Sequence, residues 1–455
     1  MAGKSLSPRS PPTLPTFDDD RQRSSFSFFI LCTAIESSPG YGAEFWSQTV
    51  LQLSLTEPAI RYAVCSLSAL HQRFRATHLN GRFPGESAIE YGKYSLEQYT
   101  HAVGHTKRLL ALGSGGEKTL VIKGLVACIL FVCYENLIGN FKTAQMHLQN
   151  GIRILAREAS KRGTVPGPQV NSSSAIPNNV QRVFARLDLQ AMAFADNQAP
   201  YPYQLHQTPP NLRFPPKAFN STIDAMDYLI HNFCWIFRTA VLSEPQPVPT
   251  DQLDAASKVL KEWNSTFQRL LDSMSEENLQ KVSYTISLLK MYHIVMTIIV
   301  ATGIYGQECI HDAYLWGYEH VVDLGENLLP REIAKREDKQ HVFSFEPGLI
   351  FPLFFTAIKC RYPQIRRRAI ALLEAANHQE GSWESIAASR VAGFVMGIEE
   401  AGLPAGAGPD LITETGRVHL VMVSVKSDLR KVEIGCVRVS ELDGSYYVTE
   451  GKVSY

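Results

Sequence analysis

The sequence predicts a mainly all-α chain: a multi-helical region of paired antiparallel helices, followed by a small C-terminal antiparallel β-sheet. Three observations carry this. Apolar residues recur at three- and four-residue spacing in successive segments between Phe26 and Ile398, the period of a buried helical face. Glycine, proline and polar clusters punctuate those segments. Beyond a Gly/Ala/Pro hinge at 401–409 the period shifts to alternation, the mark of strands.

The 455 residues include 44 basic and 44 acidic side chains, so the chain as a whole has no electrostatic preference for nucleic acid or an anionic membrane. Any DNA contact must be local. The cysteines at 32, 65, 128, 133, 234, 309, 360 and 436 form no Cys-x-x-Cys pair and no compact disulfide framework, so free thiols in a reducing compartment are expected. The apolar windows 124–134 and 291–305 fall short of the ~20 residues of a bilayer crossing and read as core helices. The apolar run at 26–34 follows Asp18-Asp19-Asp20 and starts too far from Met1 for a signal peptide. The sequons at Asn171, Asn220 and Asn264 are then chance matches.

Residues 1–24, rich in Ser, Pro and Arg, are expected to form a disordered tail. Whether Ser7-Pro8 and Ser10-Pro11 are phosphorylation sites or unmodified tail stays open. A helical domain is expected over 25–404. Thr56-Glu57-Pro58 starts an amphipathic helix through Ile60, Ala63, Val64, Leu67 and Leu70, its proline in the tolerated first turn. Segments 120–134 and 141–155 read as an antiparallel pair joined at Gly139-Asn140. A loop follows at 162–179, then a helix at 180–194. Six prolines at 199–216 exclude a regular helix. Helical patterns resume at 223–242, 251–274 and 277–305, and 330–341 reads as a charged connector.

Residues 345–400 parse into three short helices. The first buries Leu349, Ile350, Leu353, Phe354 and Ile358. The second starts at Pro363 and buries Ile365, Ala369, Leu372 and Leu373, with Arg367 opposite and Arg366 and Arg368 on its flanks. Ser382 is expected to cap the third, with Glu384 in its first turn. A β-rich extension is expected over 405–455, with a hairpin at Asp443-Gly444. Its inner face is expected to hold Val418, Leu420, Met422, Val432, Ile434 and Cys436.

No residues are assigned to catalysis, to a cofactor or to a metal, and no cofactor is expected. His101 and His105 stand four apart but lack a third ligand and a zincin glutamate. Asp18-Asp19-Asp20 reads as a solvated acidic run. Leu112-Gly113-Ser114-Gly115-Gly116 lacks the strand and glycine positions of a phosphate-binding loop, and Gly406-Ala407-Gly408 lacks the rest of a dinucleotide fingerprint. Arg366, Arg367 and Arg368 have two readings, a basic patch for nuclear import or nucleic acid, or a solvated rim.

Several motifs occur in a fixed order: Phe45-Trp46, then Glu57-Pro58-Ala59 with Arg61, Ala63 and Val64; Tyr94 to Ala102; Cys128, Phe131, Glu135 and Asn136, with Gly151 after them; and Cys360-Arg361, Arg366 to Arg368 and Gly381-Ser382-Trp383. Together they resemble the helical regulatory region of the fungal six-cysteine zinc-cluster transcription factors, over most of residues 25–400. His378-Gln379-Glu380 stand where members usually carry basic residues. The resemblance implies a nuclear, non-enzymatic regulator of transcription, its presence in the cytoplasm left open, with a role at a secondary-metabolite gene cluster. Family members bind DNA through an N-terminal cluster of six cysteines and two zinc ions. Only Cys32 precedes residue 65, so that cluster is not expected, nor is direct DNA binding. Either the regulator is naturally finger-less or an upstream exon is missing from the translated sequence. The implied partners are other transcription regulators or coregulators, with a homo- or heterodimer open and no membrane. The alternatives are a metabolite-binding or catalytic helical protein encoded beside biosynthetic enzymes, and a scaffold for assembly.

Overall fold

The side chain of Asp19 accepts a hydrogen bond of 2.6 Å from the Gln22 backbone N–H and so caps the first helix, α1 (Asp20–Phe28). Helical structure therefore begins inside the segment expected to be a tail, because Gln22 and Ser25 are buried and Gln22 reaches Gln98 across 3.2 Å. The computed structural model describes residues 17–37, 42–79, 85–112, 117–161, 176–193, 211–243, 248–303, 306–334, 342–426 and 429–455. The first sixteen residues, most of the 162–179 loop and much of the proline-rich segment lie outside them.

Two hydrophobic cores organise the chain. The N-terminal core gathers α1, α2 (Ala34–Glu36), α3 (Leu51–Thr56), α4 (Pro58–Leu79), α5 (Glu86–Leu112), α6 (Glu117–Leu137) and α7 (Phe141–Ser160). Small side chains let α4 and α5 approach closely. Ser66 Oγ donates to the Ser95 carbonyl and Ser95 Oγ to the Ser66 carbonyl, each at 2.9 Å. The expected α6–α7 pair turns at Gly139, whose φ of 80° suits glycine.

Helix α8 (Asn178–Ala193) bridges the cores, with Leu187 in the first and Leu189 in the second. The second core holds α9 (Thr222–Ser243), α10 (Thr250–Asp272), α12 (Ser283–Thr302) and α13 (Leu315–Ala334), with the short α11 (Glu276–Lys281) before α12. The pattern expected at 277–305 is thus two helices, and α11 is capped by Ser275. The connector expected from Pro330 begins as helix. Pro330 forfeits one backbone hydrogen bond late in α13 without ending it. Helices α6 and α12 are long and apolar enough to cross a bilayer, yet most of each is buried within this fold.

The last helices are α14 (Ile350–Lys359), α15 (Pro363–Ala376) and α16 (Ser385–Glu399). The third starts later than expected because residues 383–384 are a strand. A three-stranded sheet, β1 (Val342–Ser344), β2 (His378–Glu380) and β3 (Trp383–Glu384), pairs β1 with β2 in parallel and β2 with β3 antiparallel. Gly381, at φ 57°, makes the turn. This sheet also ties the two cores together. Phe343 and Phe345 insert into the N-terminal core, where Phe345 stacks on Trp46 at 5.7 Å.

The C-terminal sheet consists of β4 (Leu420–Lys426), β5 (Lys431–Val439) and β6 (Tyr446–Ser454), all antiparallel, with Gly444 in the expected hairpin. Val432, Ile434 and Cys436 face inward as expected. On β4 the expectation is off by one residue. Val421 lies opposite Cys436 and Val423 opposite Ile434, so these valines are buried while Leu420 is exposed. The strand is apolar on both faces, so alternation alone could not choose between them. Sheet and α16 meet where Gly451 leaves room for Phe394, since a Cβ there would stand 2.0 Å from the ring.

Candidate functional site

The residues singled out in 360–383 surround a buried lattice of charges. Cys360 ends α14 in an extended conformation, which turns Arg361 inward. Its guanidinium lies 2.8 Å from Glu308 Oε2 and 2.7 Å from Glu399 Oε1, and donates to the Lys359 carbonyl at 2.8 Å. Arg366, on the first turn of α15, donates to the Ala357 carbonyl at 3.0 Å and to the second oxygen of Glu399. Lys359 reaches the other oxygen of Glu308. Glu399 also accepts the Val418 N–H at 2.7 Å, so α16 is pinned to the entry of the C-terminal sheet. Arg417 grips Asp312 through two bonds of 2.7 Å.

Charge explains the protonation states. Burial raises the Glu308 carboxyl, but Lys359 and Arg361 together outweigh it and hold the group at about 2. Glu399 is likewise pushed up by burial and pulled below its usual range by Arg361 and Arg366. His311 hydrogen-bonds Tyr318 at 2.6 Å. Burial and then the nearby Lys359 cation lower its pKa to about 3, so it stays neutral. These carboxylates are engaged by cations and backbone N–H groups, and act as fixed counter-ions.

The three candidate arginines do not share one face. Arg366 is fully buried on Glu399. Arg367 is exposed and meets Glu400. Arg368, half-buried, bridges to Asp323 and Glu326 of α13 at 2.7 Å each. The carboxylate partners lie tens of residues away, and sequence reading missed them. Glu380 was missed as well. It accepts the N–H groups of Gly348 and Ile350 at 2.9 and 3.2 Å and meets His378 at 2.6 Å, capping α14 from a strand. Gly348 is needed there because a Cβ would come within 2.4 Å of the carboxylate.

The other motifs resolve locally. His101 and His105 pack on the Tyr62 ring at 5.2 and 4.9 Å. Among the described residues no three His, Cys, Asp or Glu side chains gather as metal ligands. The glycines at 113–116 lie outside the described residues. Leu189, Met226, Phe233, Tyr292 and Met296 line an apolar seam between α8, α9 and α12 that is too narrow for a water molecule.

A two-core helical domain locked by buried arginine–carboxylate pairs is the class of protein that the fold and these residues define. The chain belongs to the family described as the fungal specific transcription factor domain, whose family model matches residues 26–388. That span takes in the N-terminal core, the helices of the second core up to the start of α16, and the arginine helix. Among curated proteins, the chain is 23% identical over 330 residues to the aspercryptin biosynthesis cluster-specific transcription regulator atnN of Emericella nidulans, covering 70% of this chain and 51% of that protein. It is 29% identical over 116 residues to the transcription regulator lscL of Purpureocillium lilacinum, covering 25% of this chain and 27% of that one. The chain thus spans about half the length of the first relative and about a quarter of the second. No solved structure matches it significantly.

Proposed function

We propose that this protein regulates transcription of a fungal biosynthetic gene cluster, acting in the nucleus through other transcription regulators or coregulators. The observation that carries the proposal is the family match, which runs from residue 26 in the N-terminal core to residue 388 at the start of α16. The name of the Emericella relative supplies the cluster-specific part. Action through partners is supported by the chain's own charges. Its formal net charge is zero, and Arg366, Arg367 and Arg368 are each matched by carboxylates, which leaves this triplet little free charge to neutralise phosphate. A regulatory role without catalysis fits carboxylates that are held by arginines.

The test is deletion of the gene in the fungus that carries it, with transcripts measured genome-wide. A coordinated change in one group of neighbouring biosynthetic genes is expected, and an unchanged transcriptome would overturn the proposal. For partner-mediated action, the purified chain is expected to leave promoter DNA unbound at physiological salt. Tight binding by the chain alone would overturn that part.

A further inference from the structure

The C-terminal sheet ends on an open edge. Strand β6 runs for 9 residues with β5 on one side and, among the described residues, no strand on the other. The Tyr455 N–H donates to the Arg430 carbonyl, and the Ser440 N–H to the Ser445 carbonyl. Those bonds fix the phase of the β5–β6 ladder, because hydrogen-bonded and non-bonded pairs alternate along an antiparallel pair. Residues 447, 449, 451 and 453 therefore direct their backbone groups at β5, while Tyr446, Val448, Glu450, Lys452 and Ser454 turn theirs outward. Each of the outward residues is exposed. Neither a proline nor a bulge, the devices that commonly blunt an edge, interrupts the strand.

Charge selects what this edge pairs with. Glu450 and Lys452 lie on the outer face of the sheet, opposite Gly435 and Glu433 of β5. Lys452 meets Glu433 at 3.0 Å, whereas Glu450 faces only the glycine across the ladder. We propose that β6 is a self-association edge, on which two copies of this chain join into one continuous sheet through antiparallel β6 strands about a two-fold axis at Gly451. That register sets Glu450 directly opposite Lys452 of the partner subunit, on the same face and in a pair that exchanges both backbone hydrogen bonds. The axis repeats the pair with the roles exchanged, so the Glu433–Lys452 contact extends into a row of alternating charge across the joined strands. Val448 comes opposite Ser454 of the partner subunit. Sliding one strand by two residues sets Glu450 on Glu450 of the partner subunit, or in the other direction Lys452 on Lys452 of the partner subunit, and both oppose like charges.

A lysine on an edge ordinarily repels a further strand. Here the glutamate two positions before it makes the edge complementary to itself, which is the requirement of an isologous interface. An unrelated strand would have to bring the same acidic–basic spacing, so a second copy is favoured. Gly451 on the axis keeps opposed side chains off the inner face, and Phe394, which packs against that glycine from α16, is half-buried before the second copy arrives. A single strand pair falls below the roughly 800 Å² per partner of a standard stable interface, so association in the micromolar range is expected.

Sedimentation velocity of the full chain from about 1 to 100 μM tests this across the expected range. A monomer passing into a dimer is expected. Glu450→Pro removes an outward N–H and no bond to β5, so it should leave a monomer at every concentration with a nearly unchanged melting temperature. Glu450→Lys and Lys452→Glu should each weaken self-association about tenfold, since like charges then stand opposite one another. Mixed in equal amounts, the two charge variants should dimerise as tightly as the parent, because every lysine of one then meets a glutamate of the other. A chain that stays monomeric at the highest concentration overturns the proposal, as does a dimer indifferent to Glu450→Pro. Charge variants that self-associate like the parent, or a mixture no tighter than either alone, overturn the register.

Discussion

Arg361 Nη2 lies 2.7 Å from Glu399 Oε1 with both side chains sealed from solvent, and the second oxygen of the same carboxylate holds Arg366. One carboxylate from α16 thus bridges two guanidiniums from α15 and the loop before it, with Glu308 supplying the second negative charge to Arg361. Removing one partner of such a set leaves buried charge uncompensated, which costs about 3–5 kcal/mol. Glu399→Gln is expected to lose that much in urea denaturation. Arg368→Ala, which breaks exposed pairs only, is expected to lose less than about 1 kcal/mol. Equal losses would contradict this placement.

Stability is expected to fall as the medium becomes acid, beginning near neutrality. His311 takes up a proton at about 6.5 when unfolded but only at about 3 when folded. Between those values the unfolded chain binds more protons, so stability declines as pH drops, by about 1.4 kcal/mol per unit for each such group. Burial lowers His71, His147, His231 and His293 in the same direction. Glu308 acts lower down. Its contribution is complete above about 4.3, the unfolded value, and is lost as pH falls towards its folded value of about 2. Melting temperatures at pH 7, 6 and 5 should decrease, and His311→Phe should flatten the trend. A rise in stability at pH 5 would contradict the buried neutral histidines.

Two glycine substitutions should have opposite signs. A Cβ on Gly151 would stand 2.1 Å from Phe184, where α7 meets α8, so Gly151→Ala is expected to destabilise by about 1–3 kcal/mol. Nothing lies within 4 Å of a Cβ on Gly397 of α16, and Gly397→Ala is expected to stabilise by up to about 1 kcal/mol. Calorimetry of both variants against the parent reads the difference directly.

The register of β4 can be tested with lysine. Leu420→Lys should change stability by less than about 0.5 kcal/mol, since that side chain faces solvent. Val423→Lys should cost more than about 3 kcal/mol, because it sets an ammonium opposite Ile434 in the core. The reverse order would restore the inner face that alternation suggested.

The legibility of this chain varied with how local the controlling interaction was. The α6–α7 pair, the start of α15 at Pro363 and the turn at Gly444 were readable because each depends on residues adjacent in sequence. The segment 378–384 does turn at Gly381, but where a Ser382 cap is expected the chain continues as a strand. Its strand conformation comes from pairing of β2 with β1, more than thirty residues earlier. The arginine triplet was visible as three charges, but its division between a buried pair and exposed bridges was not. Arg366 is inward because Glu399 waits on α16, and Arg368 outward because Asp323 and Glu326 flank it on α13.

By itself the sequence determined that this is a helical chain closing in a small antiparallel sheet. It also determined that the chain shares the ordered motifs of a fungal transcription-factor region. Periodicity and turn chemistry act over a few residues, and those are written directly in the order of the side chains. Only the tertiary structure decided which carboxylate neutralises which arginine and which face of β4 is buried. Each of those depends on side chains far apart in sequence meeting where water is excluded, and a buried charge or a strand face has no preferred partner until that packing supplies one.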